Sequence, residues 1–455
     1  MSVTTSILSR RQFLSRGVCS ALGAAAVTST LGDLLRVAAA APVTGDYKAL
    51  VCVFLSGGND ASNVIVPRSG SDYAAYAAAR GSVALPQASL LPITPITEDG
   101  RSWGLHPSLS QLQGLFAQKK LALLANVGPL CYPITRDQLL NETVPAPPQL
   151  FSHEDQAIHW QTSLPDREPH SGWGGRAADL VRSLNTNASI SMSLSIAGAN
   201  TFGTGNTLAP YQVSDQGTIG IDGYDAAGGD PVSLAFKKIL GLDRGNVLEN
   251  AYRETLKRAI DNDQVMSAAL GAAPPLQTVF PDTALGRQLM MIARIVGIRN
   301  ALGFRRQIFF CAADGYDTHG DQLPAHAELL GDLSQSLKAF YDATVELGVA
   351  DSVTSYTASD FGRTYLGNGG GTDHGWGSHQ VILGGAVKGG ELYGRMPVLT
   401  VEGPDDSGEG RWIPTTSVDE YSAPLARWFG IAASDLPLVL PNLGRFARPD
   451  LGFMA

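Results

Sequence analysis

The sequence predicts an α/β fold, a three-layer sandwich with a mostly parallel central sheet and helices on both faces. Two observations carry this. Short, continuously apolar runs recur along the chain, as expected of strands buried on both faces. Between them lie stretches whose apolar residues repeat at helical spacing, and strands alternating with helices build parallel sheets through right-handed crossovers.

The first run is Ala49-Leu50-Val51-Cys52-Val53-Phe54-Leu55, which ends in Ser56-Gly57-Gly58-Asn59-Asp60. Pro107 suits a first helical turn, and Leu109, Leu112, Leu115 and Phe116 then share one helix face. Residues 121–127 form a second strand, closed by Gly128-Pro129. A Pro-rich loop leads to Ser152-His153-Glu154-Asp155, where Ser is a good N-cap and the acids favour the first turn. From about 185 to 245 the chain reads as an insertion, its first part rich in Ser, Thr, Gly and Asn, giving short strands and loops or a lid. Helical spacing returns over 247–270 and 284–300, where Leu285, Leu289, Ile292, Ile295 and Val296 align. Residues 307–312 are a third strand, leading into Asp314 and Asp317. A helix over 329–340, a strand over 352–358 leading into Asp360, and a strand over 381–383 complete the pattern. No internal repeat is visible.

At 455 residues the chain is long enough for one large domain, and 44% hydrophobic with 16% charged residues argues against disorder. The 51 Gly indicate many turns. The formal charge of −9, with no basic stripe, argues against nucleic-acid binding. Ser9-Arg10-Arg11-Gln12-Phe13-Leu14, a weakly apolar stretch over 18–31 and Ala38-Ala39-Ala40 form a twin-arginine signal with its cleavage site. Residues 1–40 are therefore expected to be a signal peptide and 41–455 a single domain, periplasmic or extracellular. Removing 1–40 takes away four Arg and one Asp, so the charge becomes −12. No segment of the mature chain has the roughly 18 apolar residues that a membrane helix needs. Cys52 and Cys311 lie in apolar runs and read as buried thiols; with Cys131 they are odd in number and contain no CxxC, so no disulfide framework is expected.

The polar residues after the strands carry the chemistry. Gly315-Tyr316-Asp317-Thr318-His319, Ser359-Asp360-Phe361-Gly362-Arg363 and Gly371-Thr372-Asp373-His374-Gly375 hold three Asp and two His in Gly-flanked segments. Ligands of open α/β sheets bind at the carboxyl ends of strands, and Asp and neutral His hold divalent cations. Asp60, Asp317, His319, Asp360 and His374 are the candidate metal ligands. Asp60 could instead be a turn residue. Arg363 could grip an oxyanion or pair with an acid. Asp373 could orient its neighbour or cap a turn, and His153 could be a supporting group behind the ligands or a surface residue. His379 reads as a supporting group or a solvated loop residue, His106 as structural, and His326 as a surface residue.

These segments, together with Phe54–Asp60, Leu105-His106-Pro107-Ser108-Leu109, Ser152-His153 and Gly172-Trp173, resemble the bacterial family called domain of unknown function 1501. That family is more distantly similar to the alkaline-phosphatase and sulfatase superfamily. The resemblance implies an alkaline-phosphatase-like sandwich and metal-dependent hydrolysis of phosphate or sulfate esters, using one or two divalent ions (zinc, calcium, magnesium or manganese). It implies Ser152 as nucleophile, with helix capping as the alternative reading. The expected substrate is a small anionic or envelope-derived ester, and a protein partner is possible. Two departures stand out: Phe361 occupies a place where the superfamily has His or Asn, and Asp317–His319 is shorter than Asp-x-x-x-His. They favour the alternative of a non-catalytic periplasmic binding or assembly protein with a degenerate metal site. A third option is an envelope-polysaccharide binder using residues 185–229.

Overall fold

The computed structural model describes residues 47–455 apart from 188, 226–227 and 243–244. The expected signal peptide, 1–40, lies outside the described residues.

The five predicted strands form, and one short strand of the 185–245 insertion joins them. They are β1 (Lys48–Leu55), β2 (Leu121–Gly128), β3 (Ser193–Ser195), β4 (Arg306–Ala313), β5 (Val353–Ser359) and β6 (Ser378–Gly384). The central sheet runs Leu392–Tyr393, β2, β6, β5, β1, β4, β3, Tyr211–Ser214, Gly217–Thr218. Pairing is parallel except around β6, which is antiparallel to β5 and β2, and in the final hairpin. The 185–245 stretch thus adds short strands to the sheet edge beyond β4. A small antiparallel sheet (Ile65–Pro67, Trp103–Leu105, Leu91–Ile93) was not legible in the sequence.

The helices that matter for the site are α1 (Gly70–Arg80), α2 (Ser110–Ala117), α3 (His153–Thr162), α4 (Trp173–Val181), α5 (Val247–Ala272), α6 (Ala284–Gly297), α7 (Gln322–Glu346) and α8 (Val418–Phe429). Helices α2, α6 and α7 pack together as one outer layer, and α3, α4 and α8 belong to the other, giving the three-layer α/β sandwich. One continuous apolar core joins β1, β2, β4 and β5 to α6, α7 and α8. Cys52, Cys131 and Cys311 are free and buried, and burial raises all three thiols, Cys52 to about 12 and Cys131 to about 11.

Two local expectations need correction, the start of α2 and the surface placement of His326. Helix α2 starts at Ser110, so His106 and Pro107 lie in the turn before it. Helix α7 starts at Gln322, two turns before its apolar periodicity. Its first turns bury Gln322 and His326, polar residues that give no apolar signal. His326 is consequently not on the surface: it is 1% exposed, bonds the Asn59 side chain at 2.9 Å and packs against His106 and Tyr316. Burial holds His326 and His106 near 3, so both are neutral.

Candidate metal centre

Strands β1, β4 and β5 end level, because Leu55 pairs with both Ala313 and Ser359. The segments after them therefore start from one rim. Strand β6 runs antiparallel to β5, so the loop that enters it, Gly371–Gly375, lies at the same rim. Close approach here depends on glycine: Gly57 and Gly58 have φ of +114° and +83°. A Cβ on Gly57 would lie 2.4 Å from the Asp317 amide nitrogen, and one on Gly58 would lie 2.4 Å from the Phe361 ring.

Helix α3 brings the remaining group. Ser152 caps it, and His153 occupies its first position. His153, Asp317 and His374 offer ligand atoms that all lie within 4.8 Å of one another, the one such group among the described residues. His374 Nε2 is 3.1 Å from His153 Nε2, 2.9 Å from His319 Nε2 and 3.2 Å from Asp317 Oδ1. His319 Nε2 is itself 3.0 Å from Asp317 Oδ1.

The far side of each ring is tied to an oxygen. His374 Nδ1 donates to the Phe151 carbonyl at 2.8 Å, His153 Nδ1 to Asp360 Oδ2 at 2.6 Å, and His319 Nδ1 to Asp373 Oδ1 at 3.0 Å. Carbonyls and ionised carboxylates only accept, so Nδ1 is the donor in these bonds, and a neutral ring held this way turns an Nε2 lone pair toward the others. In that form the Nε2 lone pairs of His153 and His374 crowd against the Asp317 carboxylate, with His319 beside them, and a cation among them would relieve their repulsion. A carboxylate or carbonyl behind each histidine is also the usual support of metal-bound imidazole.

Arg363 fixes Asp317. Its guanidinium, wholly buried, donates to Asp317 Oδ1 at 2.6 Å, to the Gly57 carbonyl at 3.0 Å, and to the carbonyl of Thr372. Burial pushes the Asp317 carboxyl up, but the Arg363 hydrogen bond and charge outweigh it and leave the group below the usual carboxylate value. Burial lowers His374, with the Phe151 bond opposing. Burial raises Asp360 against the pull of His153, whereas at Asp373 burial is outweighed by bonds from His319 and Asn368, which keep it low.

Residues 248–407 match the family model described as "Protein of unknown function (DUF1501)". The match contains the Asp317, Asp360 and His374 segments and bears out the resemblance read from them; the Asp60 and Ser152 segments precede it. Among solved structures, the chain is similar to a sulfatase from Pseudoalteromonas sp. at 8% identity, covering 94% of this chain and 76% of that one, with a TM-score of 0.36. It is similar to the soluble domain of lipooligosaccharide phosphoethanolamine transferase A from Neisseria meningitidis at 9% identity, covering 88% and 95%, with a TM-score of 0.34. Phosphonate monoester hydrolase of Agrobacterium radiobacter gives 9% identity, 87% and 77% coverage and a TM-score of 0.28. No curated protein sequence matches the chain.

The structure does not bring every candidate to the rim group. Asp60 is fully buried, and one of its oxygens takes a guanidinium nitrogen of Arg80 and the Gln322 amide, so it lies outside the ligand group. Arg80 also donates to the carbonyls of Thr364 (2.9 Å) and Tyr365 (3.2 Å), pinning the chain just after Arg363. Asp360 stands behind His153, bonded to it and to the Gly57 amide, rather than in the group itself. Ser152 is engaged as a cap: its hydroxyl donates to Asp155 Oδ2 at 2.6 Å and accepts from the Asp155 amide at 3.5 Å. Arg363 is an acid-pairing residue with its donors engaged in the fold. His379 is neither solvated nor beside the group: it is buried on β6 and accepts from the Asn126 amide at 2.9 Å. Asp373 bonds His319 Nδ1 at 3.0 Å, not its sequence neighbour His374, whose Nδ1 bonds the Phe151 carbonyl. His153 moves the other way, from a supporting position into the group. A histidine directly after an N-cap was its only sequence signal.

Proposed function

We propose that the protein is an exported, single-ion hydrolase of phosphate or sulfate esters, with the ion held by His153, Asp317 and His374. The convergence of imidazole Nε2 atoms on the Asp317 carboxylate, each ring locked by an oxygen on its Nδ1, carries this reading. Two nitrogens and one oxygen suit zinc better than calcium, magnesium or manganese. Three protein ligands leave a position open, the pattern of catalytic rather than structural zinc sites. The site is also accessible: the side chains of His153, Asp317 and His319 are 37%, 44% and 45% exposed. A single ion is favoured because Arg80 engages Asp60 and because the buried Phe361 ring lies 4.8 Å from His153 and 4.7 Å from His374.

A divalent cation bound there would supply Lewis-acid activation of the ester and of the attacking water. Arg363 holds the Asp317 carboxylate toward the rim. Phe361 shields the inner faces of two imidazoles from water. His319, between Asp317 and Asp373, can hold or release a proton at Nε2 as the leaving group departs. Water, not Ser152, is the nucleophile in this reading, since the Ser152 hydroxyl is bonded within the α3 cap.

One observation favours the second reading, a non-catalytic binding or assembly protein: both residues expected to act on substrate, Ser152 and Arg363, are engaged inside the fold. Chelator-stripped mature protein, reloaded with zinc or manganese and assayed on aryl phosphates and aryl sulfates, separates the two. Turnover that needs the ion supports the hydrolase. Ion binding without turnover on either ester class supports the second reading, and absence of binding removes both.

A further inference from the structure

We propose that Arg411 is a positioning residue that clamps His374, and that the loop carrying it, residues 402–412, is a built support of the ion site. The proposal rests on the metal reading above. Arg411 Nε donates to the His374 carbonyl at 2.8 Å, and its guanidinium lies 5.0 Å from the centre of the Phe151 ring. Phe151 in turn gives its carbonyl to His374 Nδ1 at 2.8 Å. A closed circuit results: one guanidinium holds the main chain of the ligand and the ring of the residue that orients the ligand's imidazole.

Phe151, and Glu409 two residues before Arg411, sit in backbone that L residues rarely adopt. Phe151 has φ +73°, which turns its carbonyl to His374, and Glu409 has φ +59°. Glu409 pairs with Arg411 at 2.6 Å. The loop is stiffened from within by Asp406, fully buried, whose carboxylate accepts from the amides of Glu402, Gly408 and Gly410 at 2.7, 2.8 and 2.9 Å. Such a loop can place a guanidinium reproducibly, and planar Arg can donate and stack at once where Lys cannot. Sequence spacing gives no hint of this, since Arg411 lies 37 residues from His374.

The test uses the full mature chain, stripped and titrated with zinc, and with cobalt(II) as a visible probe of ligand geometry. Arg411→Ala should weaken zinc binding about 10- to 100-fold, the usual effect of losing an outer support of a ligand. It should change the cobalt absorption at saturation and leave the melting temperature of the ion-free protein within a few degrees. Arg411→Lys should fall between Ala and wild type, and serves also if the Ala variant does not fold. Wild-type affinity and an unchanged cobalt spectrum in both variants would overturn the clamp alone. Affinity lost only in step with the ion-free melting temperature would make Arg411 a general structural residue and overturn it too. Failure of the wild-type protein to bind zinc or cobalt would instead remove the metal reading on which the clamp depends.

Discussion

Asp60 and Asp317 follow neighbouring parallel strands, β1 and β4, and in sequence they look equivalent. In the fold they do different things. Asp60 lies beneath the rim with no exposed surface, neutralised by Arg80. Asp317 stands at the rim, 44% exposed, held by Arg363 with imidazoles before it. The difference lies in the partner's reach. Arg80 closes on Asp60 from within the core and then grips the carbonyls after Arg363, so the buried pair acts as a foundation. Arg363 approaches Asp317 from behind and leaves its other oxygen facing His153 Nε2 at 3.5 Å. A strand-end carboxylate is available to an ion only where its cationic partner leaves it a free side.

The comparison breaks if the two regions respond alike to mutation. Asp60→Ala strands the buried Arg80 charge, and we expect a loss of about 3–5 kcal/mol of stability, read by thermal or denaturant unfolding. A loss below about 1 kcal/mol, the scale of an exposed pair, would deny the foundation role. At the rim the order reverses. His374→Ala should cost little stability yet weaken ion binding by more than the roughly 10- to 100-fold expected for Asp360→Asn, whose carboxylate orients His153. Calorimetric titration ranks the two, and equal affinity in both variants and wild type would remove the rim from consideration.

Acid should also separate the regions. The imidazoles must be neutral to hold an ion, so affinity should fall as pH falls. Burial holds His374 below the ordinary value of 6.5, so that ligand should keep its affinity to a lower pH than an ordinary imidazole would. Titrations at stepped pH check this, and affinity that rises on acidification would contradict it. The smallest effect belongs to Ser152→Ala: about 1 kcal/mol of stability from the lost cap, with ester turnover unchanged. Abolished turnover in a folded variant would return Ser152 to the role of nucleophile.

The parts of this arrangement that sequence could show are those with a local signal. Apolar runs located β1, β4 and β5, and their Gly-rich ends located Asp317, Asp360 and His374. Strand ends alone could not say which acids would face outward. The partners of Asp60 are 20 and 262 residues away, and neither Arg80 nor Gln322 carries a pattern that announces a buried pair. His153 shows the same limit, for it becomes a group member only because α3 starts opposite the rim. The polar first turns of α7 hid both Gln322 and the burial of His326.

The most direct measurement is ion content by mass spectrometry of mature protein stripped with chelator, reloaded with zinc or manganese and desalted, for wild type beside His374→Ala. Convergent imidazoles around Asp317 predict one ion per chain in wild type and essentially none in the variant. An ion-free wild type, or equal loading of the two proteins, would contradict the account.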